Sequence, residues 1–175
     1  MITALLIIDV QVDMFAYPET PVYRGDYMLD NIKKLILVAR KSGAPVIYVQ
    51  HSSADGSPLG KGKPGWQIHP CIAPEENDTI VNKKTPSAFH KTALKRVLAE
   101  KGINRLVICG MQTEYCIDTT VRHGSVLGYE LVVAQDAHST FDLPPLAASE
   151  IIFHHQRIWK NWFANVMPSD EIAFI

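Results

Sequence analysis

The 175-residue sequence lacks several features that mark whole classes of protein. No apolar run approaches the ~20 residues of a membrane-spanning helix, so a membrane protein is not expected. Lys and Arg number 17 against 18 Asp and Glu, which leaves no surplus of positive charge for a broad nucleic-acid-binding face. No Gly-x-Gly-x-x-Gly motif follows the first apolar segment, so a dinucleotide site of that type is not expected either.

Cysteine is scarce, and its spacing argues against a disulfide framework or a structural zinc site. The three residues, Cys71, Cys109 and Cys116, include no Cys-x-x-Cys pair, and an odd number leaves at least one thiol free. The N-terminal segment has neither a basic leader nor a small-residue cleavage site. These features predict a cytoplasmic protein with reduced thiols. Apolar residues make up 47% of the sequence, which favours one globular domain over residues 1–175.

Short apolar segments without polar alternation recur along the chain and are typical of strands buried on both faces of a parallel sheet. Amphipathic segments lie between them, which indicates β–α–β units. We therefore predict a three-layer α/β fold with an open, mostly parallel six-stranded sheet and helices on both faces. The predicted strands are Thr3–Asp9, Val46–Gln50, Thr79–Asn82, Arg105–Cys109, Glu130–Ala134 and Glu171–Ile175.

Five segments carry apolar residues three or four positions apart and are predicted as helices. They are Tyr27–Lys41, Phe89–Lys101, Glu114–Leu127, Leu146–His154 and Arg157–Val166. One long loop, rich in Gly and Pro, runs from Ser52 to Glu76. Because a loop of this length in a compact domain is usually functional, we expect it to cover a site.

A carboxylate, an amine and a thiol follow the ends of three predicted strands. Ligands of open α/β sheets bind outside the carboxyl ends of the strands. Asp9 ends the first predicted strand, Lys83 and Lys84 follow the third, and Cys116 follows the fourth after a short turn. Each residue alone has an ordinary structural explanation, as a loop-capping carboxylate, a solvated lysine or a small buried thiol. Their convergence on one edge of the sheet favours a catalytic site.

Among the three thiols, Cys116 has the best surroundings for a nucleophile. With Thr113 as the helix N-cap, Cys116 takes the third helical position, where the helix dipole and a nearby ammonium favour the thiolate. We therefore expect the pKa of this thiol to lie below its ordinary value. Cys109 lies within an apolar strand, and Cys71 has no visible activating neighbour. The backbone N–H groups at the same helix start are candidates for an oxyanion hole.

Three motifs follow one another along the chain: Leu5-Leu-Ile-Ile-Asp-Val-Gln11, Val81-Asn-Lys-Lys-Thr-Pro-Ser-Ala-Phe89 and Gly110-Met-Gln-Thr-Glu-Tyr-Cys116. At this spacing they resemble the isochorismatase-like cysteine hydrolases, and the resemblance covers nearly the whole chain. It implies a triad in which Asp9 is the acid/base and Cys116 the nucleophile. Lys83, rather than Lys84, is the implied third member, because it stands four residues before the Ser of Ser-Ala-Phe.

The resemblance also implies the reaction, which is cleavage of a carbon–nitrogen bond of a small amide or imide through a thioester. The family's vinyl-ether-cleaving members work without the cysteine, so the presence of Cys116 favours amide chemistry. The resemblance further implies a cis peptide bond between Met111 and Gln112. That bond would direct the N–H groups of Gln112 and Cys116 towards the oxyanion.

The nicotinamidase branch of this family carries a metal site with an Asp-x-His pair and further histidines. The region after the second strand offers His51, Asp55 and His69 but no Asp-x-His. We therefore expect no metal and no other cofactor, and the metal-dependent nicotinamidase stays an alternative. A non-catalytic flavodoxin-like binding module is a second alternative, in which Cys116 would react with alkylating reagents no faster than Cys71.

Phe15, Trp66 and Tyr115 are predicted to line the substrate pocket. Trp66 has two interpretations, since its ring either stacks on a substrate or holds the long loop against the body of the protein. The segment 151–163 is rich in Ile, Phe and Trp, and it either packs against a partner subunit or completes the monomer core. Because homo-oligomers are common in the family, we expect a homo-oligomer that acts on a small-molecule amide.

Overall fold

The computed structural model describes residues 2–174 and contains six strands that form one sheet. The strands are β1 (Thr3–Ile8), β2 (Val46–His51), β3 (Thr79–Lys83), β4 (Arg105–Met111), β5 (Glu130–Ser139) and β6 (Asn165–Met167). Their order across the sheet is β3–β2–β1–β4–β5–β6, and each neighbouring pair is parallel. The predicted α/β class with an open six-stranded sheet is confirmed.

Helices cover both faces of this sheet. They are α1 (Gly25–Lys41), α2 (Leu94–Glu100), α3 (Asp118–Val126) and α4 (Ala148–Trp162). Alternate side chains of β1 point to opposite faces of the sheet. Leu5 and Ile7 pack in the hydrophobic core between the sheet and α1, whereas Leu6 and Ile8 pack in the core between the sheet and the other three helices. This alternation explains why β1 contains no polar position between its ends, since both of its faces are buried.

The chain order creates a switch point between β1 and β4. From β1 the chain builds outward to β2 and β3, then crosses back and builds outward in the other direction through β4, β5 and β6. The connections that leave β1 and β4 therefore diverge to opposite sides and open a crevice at their carboxyl ends. The fold thus positions Asp9 and the turn that follows β4 at the mouth of one crevice.

The sixth strand lies elsewhere than predicted. Glu171 belongs to a short 3-10 turn and Ile175 lies outside the described residues, while the strand that pairs with β5 is Asn165–Met167. Ile172 and Phe174 are apolar because they fill the core under α1, not because they pair in the sheet. The prediction that residues 1–175 form one domain stays a prediction.

Helix boundaries were also predicted imperfectly. The two predicted C-terminal helices are one helix, α4, because no proline or glycine interrupts the segment between them. The helix predicted from Phe89 begins only at Leu94, because Ala88 and Phe89 are held in the core by contacts with α3. None of the helices within residues 2–174 has both the length and the apolar character needed to cross a bilayer.

Candidate active site

Three side chains from three strand ends meet at the carboxyl edge of the sheet. Lys83 Nζ lies 2.5 Å from Asp9 Oδ2 and 3.2 Å from Cys116 Sγ. Asp9 follows β1 directly, Lys83 is the last residue of β3, and Cys116 lies in the turn after β4. The side chains of Asp9 and Lys83 are almost completely buried, and Cys116 is partly exposed. The structure therefore brings the three residues of the predicted triad together, and Cys116 is the one of the three that is partly exposed.

The backbone of Asp9 has an unusual conformation that sets the direction of its side chain. Its φ is 52°, in the left-handed region that non-glycine residues seldom occupy. Such conformations cost free energy and are concentrated at functional sites, where the surrounding structure holds them. Here the Asp9 N–H donates to the Val49 carbonyl and the Asp9 carbonyl accepts from the Gln11 N–H.

Lys83 also contacts His51, for which the sequence suggested only the role of a metal ligand. The two residues are opposite each other in the β2–β3 ladder, and Lys83 Nζ lies 3.4 Å from His51 Nδ1. An ammonium has three protons to donate, and Lys83 Nζ lies closer to Asp9 Oδ2, the Thr85 carbonyl and Cys116 Sγ, so His51 Nδ1 is its fourth and most distant polar neighbour. The sequence could have predicted this contact, because His51 and Lys83 are the last residues of two neighbouring parallel strands.

The pKa of the Cys116 thiol is shifted in the direction opposite to the expected one. Burial and the nearby Asp9 carboxylate raise the pKa of the Cys116 thiol to about 12, although Lys83 opposes the shift. The expected low thiol pKa is therefore wrong, because the dominant influence is the loss of solvent around the sulfur rather than the helix dipole. Burial raises the pKa of Asp9, and Lys83 opposes that shift as well. Burial and Lys83 lower the pKa of His51.

The turn that carries Cys116 is not the α-helical start predicted from Thr113. A π-helical turn spans Thr113–Ile117 and leads into α3, so Cys116 is its fourth residue. Thr113 does not cap the helix through its side chain, because its Oγ1 lies 2.8 Å from Nδ1 of the buried His138. The peptide bond between Met111 and Gln112 is cis. The Gln112 carbonyl accepts hydrogen bonds from the N–H groups of Tyr115 and Ile117, on either side of Cys116.

The Ser-Ala-Phe part of the second motif connects the lysine strand to the cysteine helix. Ser87 Oγ lies 2.8 Å from His123 Nδ1, and the Ala88 N–H donates to Thr120 Oγ1 at 3.0 Å. Both partners belong to α3, which continues from the turn of Cys116. These contacts hold the segment that follows Lys83 against the helix that follows Cys116.

The three predicted pocket residues have different surroundings. Phe15 packs against His69 with ring centroids 4.7 Å apart, and Tyr115 is 48% exposed beside the nucleophile position. Trp66 Nε1 donates to Ser52 Oγ at 2.8 Å, and the Trp66 carbonyl accepts from the side chains of Gln11 and Gln50. Trp66 therefore holds the long loop against the strand ends, and its contact with a substrate stays a prediction.

The residues weighed as metal ligands do not form a metal site. Within residues 2–174, no three His, Cys, Asp or Glu side chains are grouped so that they could hold a metal ion. His51 faces the Lys83 ammonium, and His69 Nδ1 accepts the N–H of Cys71 at 3.3 Å. A cation beside Lys83 would be repelled, so these side chains do not suit the metal of the nicotinamidase branch.

Comparison with known proteins places this geometry in a family. Residues 3–153 match the family model of the Isochorismatase domain. The chain belongs to the isochorismatase family. An isochorismatase family protein of Bacillus subtilis, described as uncharacterized, is 38% identical over 146 residues, which cover 82% of this chain and 81% of that protein. A streptothricin hydrolase of Streptomyces noursei is 33% identical over 143 residues and 82% of this chain. The chain spans about half the length of that hydrolase, 51%.

Solved structures of isochorismatase family members share the whole fold. An isochorismatase from Pseudomonas putida superposes with a TM-score of 0.92 at 31% identity, covering 97% of this chain and 89% of that one. An N-carbamoylsarcosine amidase from Thermoplasma acidophilum superposes with a TM-score of 0.82 at 25% identity, covering 98% and 99%. The chain is thus an isochorismatase-family hydrolase, and members of this family differ in substrate.

Proposed function

We propose that this protein hydrolyses a carbon–nitrogen bond of a small amide or imide through a thioester on Cys116. The observation that carries the proposal is the position of Lys83 Nζ, which touches both Asp9 Oδ2 and Cys116 Sγ. A carboxylate, an ammonium and a thiol in mutual contact supply a base, an electrostatic anchor and a nucleophile. The names of the streptothricin hydrolase and the N-carbamoylsarcosine amidase support hydrolysis as the reaction type.

In the first half of the reaction, the thiol is protonated at rest and loses its proton only as it attacks. Asp9 takes the Sγ proton while sulfur bonds to the substrate carbonyl carbon, which gives a tetrahedral oxyanion. The N–H groups of Gln112 and Cys116 are the proposed donors to that oxyanion. Asp9 then returns the proton to the leaving nitrogen, the carbon–nitrogen bond breaks, and an amine or ammonia departs from the thioester.

In the second half, water replaces the amine. Asp9 accepts a proton from water as the hydroxide oxygen bonds to the thioester carbon, and the tetrahedral intermediate expels the sulfur. The proton on Asp9 passes to the sulfur, so the site returns to its starting state with a carboxylic acid as the product. The Lys83 ammonium stabilises negative charge on the sulfur and on the carboxylate in turn.

His51 is proposed to position Lys83 rather than to transfer protons. Its Nδ1 lies 3.4 Å from the ammonium and can share the proton that Lys83 directs towards Cys116, which restricts the orientation of the lysine between Asp9 and Cys116. The lowered pKa of His51 suits this role, since a neutral ring can accept and a protonated ring cannot.

The decisive experiment is a panel of small amides assayed for ammonia or amine release, with nicotinamide, maleamate, ureidoacrylate, N-carbamoylsarcosine and a lactam-type imide as members. We expect turnover of at least one of them, and its loss in Cys116→Ser and in Asp9→Asn. Cys71→Ser is the matched control, because that thiol is exposed. A Cys116→Ser variant that retains turnover would exclude the proposal.

Location and assembly are proposed on separate grounds. Three free cysteines support a reducing compartment such as the cytoplasm. Phe153 and Trp162 on α4 are 62% and 84% exposed, whereas Ile151 and Trp159 on the same helix are buried. Aromatic residues are enriched at protein interfaces, and the exposure of these two side chains is the support for a homo-oligomer. Sedimentation velocity of the purified protein tests this directly.

A further inference from the structure

A large cavity lies beside the active site, at the carboxyl end of the edge strand β3. Its volume is about 490 Å³, and its wall includes Lys61, Lys84 and Lys91 with a single carboxylate, Asp55. We call it the lysine cavity. The sequence alone indicates no function for Lys84, and it predicts that the loop around Lys61 covers a site.

The charge of this cavity is not neutralised by ion pairs. The three lysines are exposed, and in the part of the chain that the structure describes none of them forms a salt bridge. The protein as a whole carries a net charge of −1, so this cluster is a local feature rather than a consequence of composition. A concave wall with several unpaired ammonium groups attracts anions.

The lysine cavity adjoins the reacting groups through two residues. Lys83 and Thr85 both contribute to its wall. Lys83 Nζ donates to the Thr85 carbonyl at 3.1 Å and to Cys116 Sγ at 3.2 Å. Lys83 is therefore both a part of the cavity wall and the residue that contacts Cys116 Sγ. This shared residue is the observation that connects the cavity to a substrate bonded to Cys116.

We propose that the lysine cavity binds an anionic group, a carboxylate or a phosphate, on the substrate of Cys116. This inference rests on the proposed function and narrows it to amides that carry negative charge away from the scissile bond. Lys84 and Lys91 supply the attraction, and the hydroxyl of Thr85 and the amide of Asn82 are further polar groups in the same wall. Amides with a cationic arm are expected to be poor substrates.

The test uses covalent labelling of Cys116, which does not depend on turnover. N-iodoacetyl-β-alanine carries a carboxylate on a short arm, and its methyl ester is the neutral counterpart with the same reactive carbon. Both are reacted with the full-length protein, and peptide mass spectrometry gives the rate at Cys116 and, in the same sample, at the exposed Cys71. The ratio of anionic to neutral rate is then compared between the two sites.

We expect this ratio to be about fivefold higher at Cys116 than at Cys71 at low salt, and to fall towards the Cys71 value in 1 M NaCl. Removing the charge in Lys84→Gln or Lys91→Gln is expected to lower the ratio about twofold each, with the neutral rate unchanged. Lys95→Gln, an exposed lysine on α2, is the matched control and should leave the ratio unchanged. A phosphate-bearing analogue of the same arm shows which anion the cavity prefers.

Equal ratios at Cys116 and Cys71 would overturn the inference, as would a ratio that both cavity variants leave unchanged, or modification of Cys116 by the methyl ester but not by the anionic reagent. The proposed function fails by a different result, namely amide turnover that survives in Cys116→Ser. Hydrolysis of neutral amides together with equal labelling ratios would retain the proposed function and remove only the lysine cavity from it.

Discussion

Gly110 on β4 passes so close to Ile8 on β1 that no side chain fits between them. A Cβ at position 110 would collide with the backbone of Ile8, and the φ of Gly110 is 117°. Ile8 and Gly110 are paired in the β1–β4 ladder, and Asp9 and Met111 follow them. The absence of a side chain at Gly110 therefore lets Asp9 and the turn that carries Cys116 leave the sheet side by side.

We predict that Gly110→Ala lowers the free energy of unfolding by about 3 kcal/mol or more and removes activity, because both the collision and the positive φ oppose it. Urea unfolding measures the first effect. Gly128→Ala is the matched control: its φ is 85°, but a Cβ there would meet no atom within 4 Å, so only about 1 kcal/mol is expected. Equal losses for the two variants would show that the close approach is not the cause.

The contact between Lys83 and His51 predicts a positioning effect. His51→Ala removes the acceptor and should lower kcat/KM about tenfold, whereas His51→Gln offers a carbonyl oxygen in its place and should recover most of the loss. His69→Gln, which alters the ring that packs on Phe15, is the control for a general disturbance of the loop. If Ala and Gln at position 51 behave alike, the contact has no part in catalysis.

The raised pKa of Cys116 predicts that the resting enzyme contains a thiol, not a thiolate. Absorbance near 240 nm, compared between the wild type and Cys116→Ser, should show no thiolate between pH 7 and 9. Activity should decrease at acid pH, because the pKa of Asp9 is raised and its protonation removes the base. A thiolate signal at pH 7 would contradict this assignment of protonation states.

His138 predicts a pH dependence of stability that is independent of catalysis. Burial, with His155 nearby, lowers the pKa of His138 to about 3, so the folded state holds the ring neutral. The unfolded chain binds a proton at higher pH, so stability is complete above about pH 6.5 and is lost as the pH falls towards 3. Between pH 7 and 4.5 this group should account for about 2–3 kcal/mol.

Urea unfolding of wild type and His138→Gln at both pH values isolates that contribution. The variant loses the contacts with Thr113 and Gln156 at every pH, but its loss of stability on acidification should be smaller than that of the wild type. The exposed His90 gives the control variant His90→Gln, for which the acid loss should equal that of the wild type. An unchanged acid loss in His138→Gln would exclude His138 as the cause.

The sequence predicted the central strands well, because a strand that is buried on both faces of the sheet appears as an uninterrupted apolar segment. The apolar segment that starts at Thr3 indicated a central strand, and the positions of Asp9, Lys83 and Cys116 after strands indicated that they meet. The resemblance was needed to choose Lys83 over Lys84, since adjacent lysines have the same local pattern. The structure shows the difference: Lys83 is buried against Asp9, and Lys84 is exposed in the lysine cavity.

Other features depend on contacts that a local pattern does not contain. Ile172 and Phe174 have the composition of a strand but pack into the core under α1. The thiol pKa was predicted in the wrong direction, because the sequence suggested a helix start at Thr113 but did not show how deeply Cys116 is buried. The contact of His51 with Lys83 arises from strand register, which joins residues 32 positions apart.

The most direct test of the account is the mass of the protein during turnover. An amide that the panel identifies as a substrate is mixed with the protein, quenched in acid within the first turnover, and analysed by intact-mass and peptide mass spectrometry. We predict an added acyl group of the substrate on the peptide that contains Cys116, and its absence in Cys116→Ser. Turnover without any such adduct, or an adduct on Cys71 alone, would contradict a thioester mechanism at Cys116.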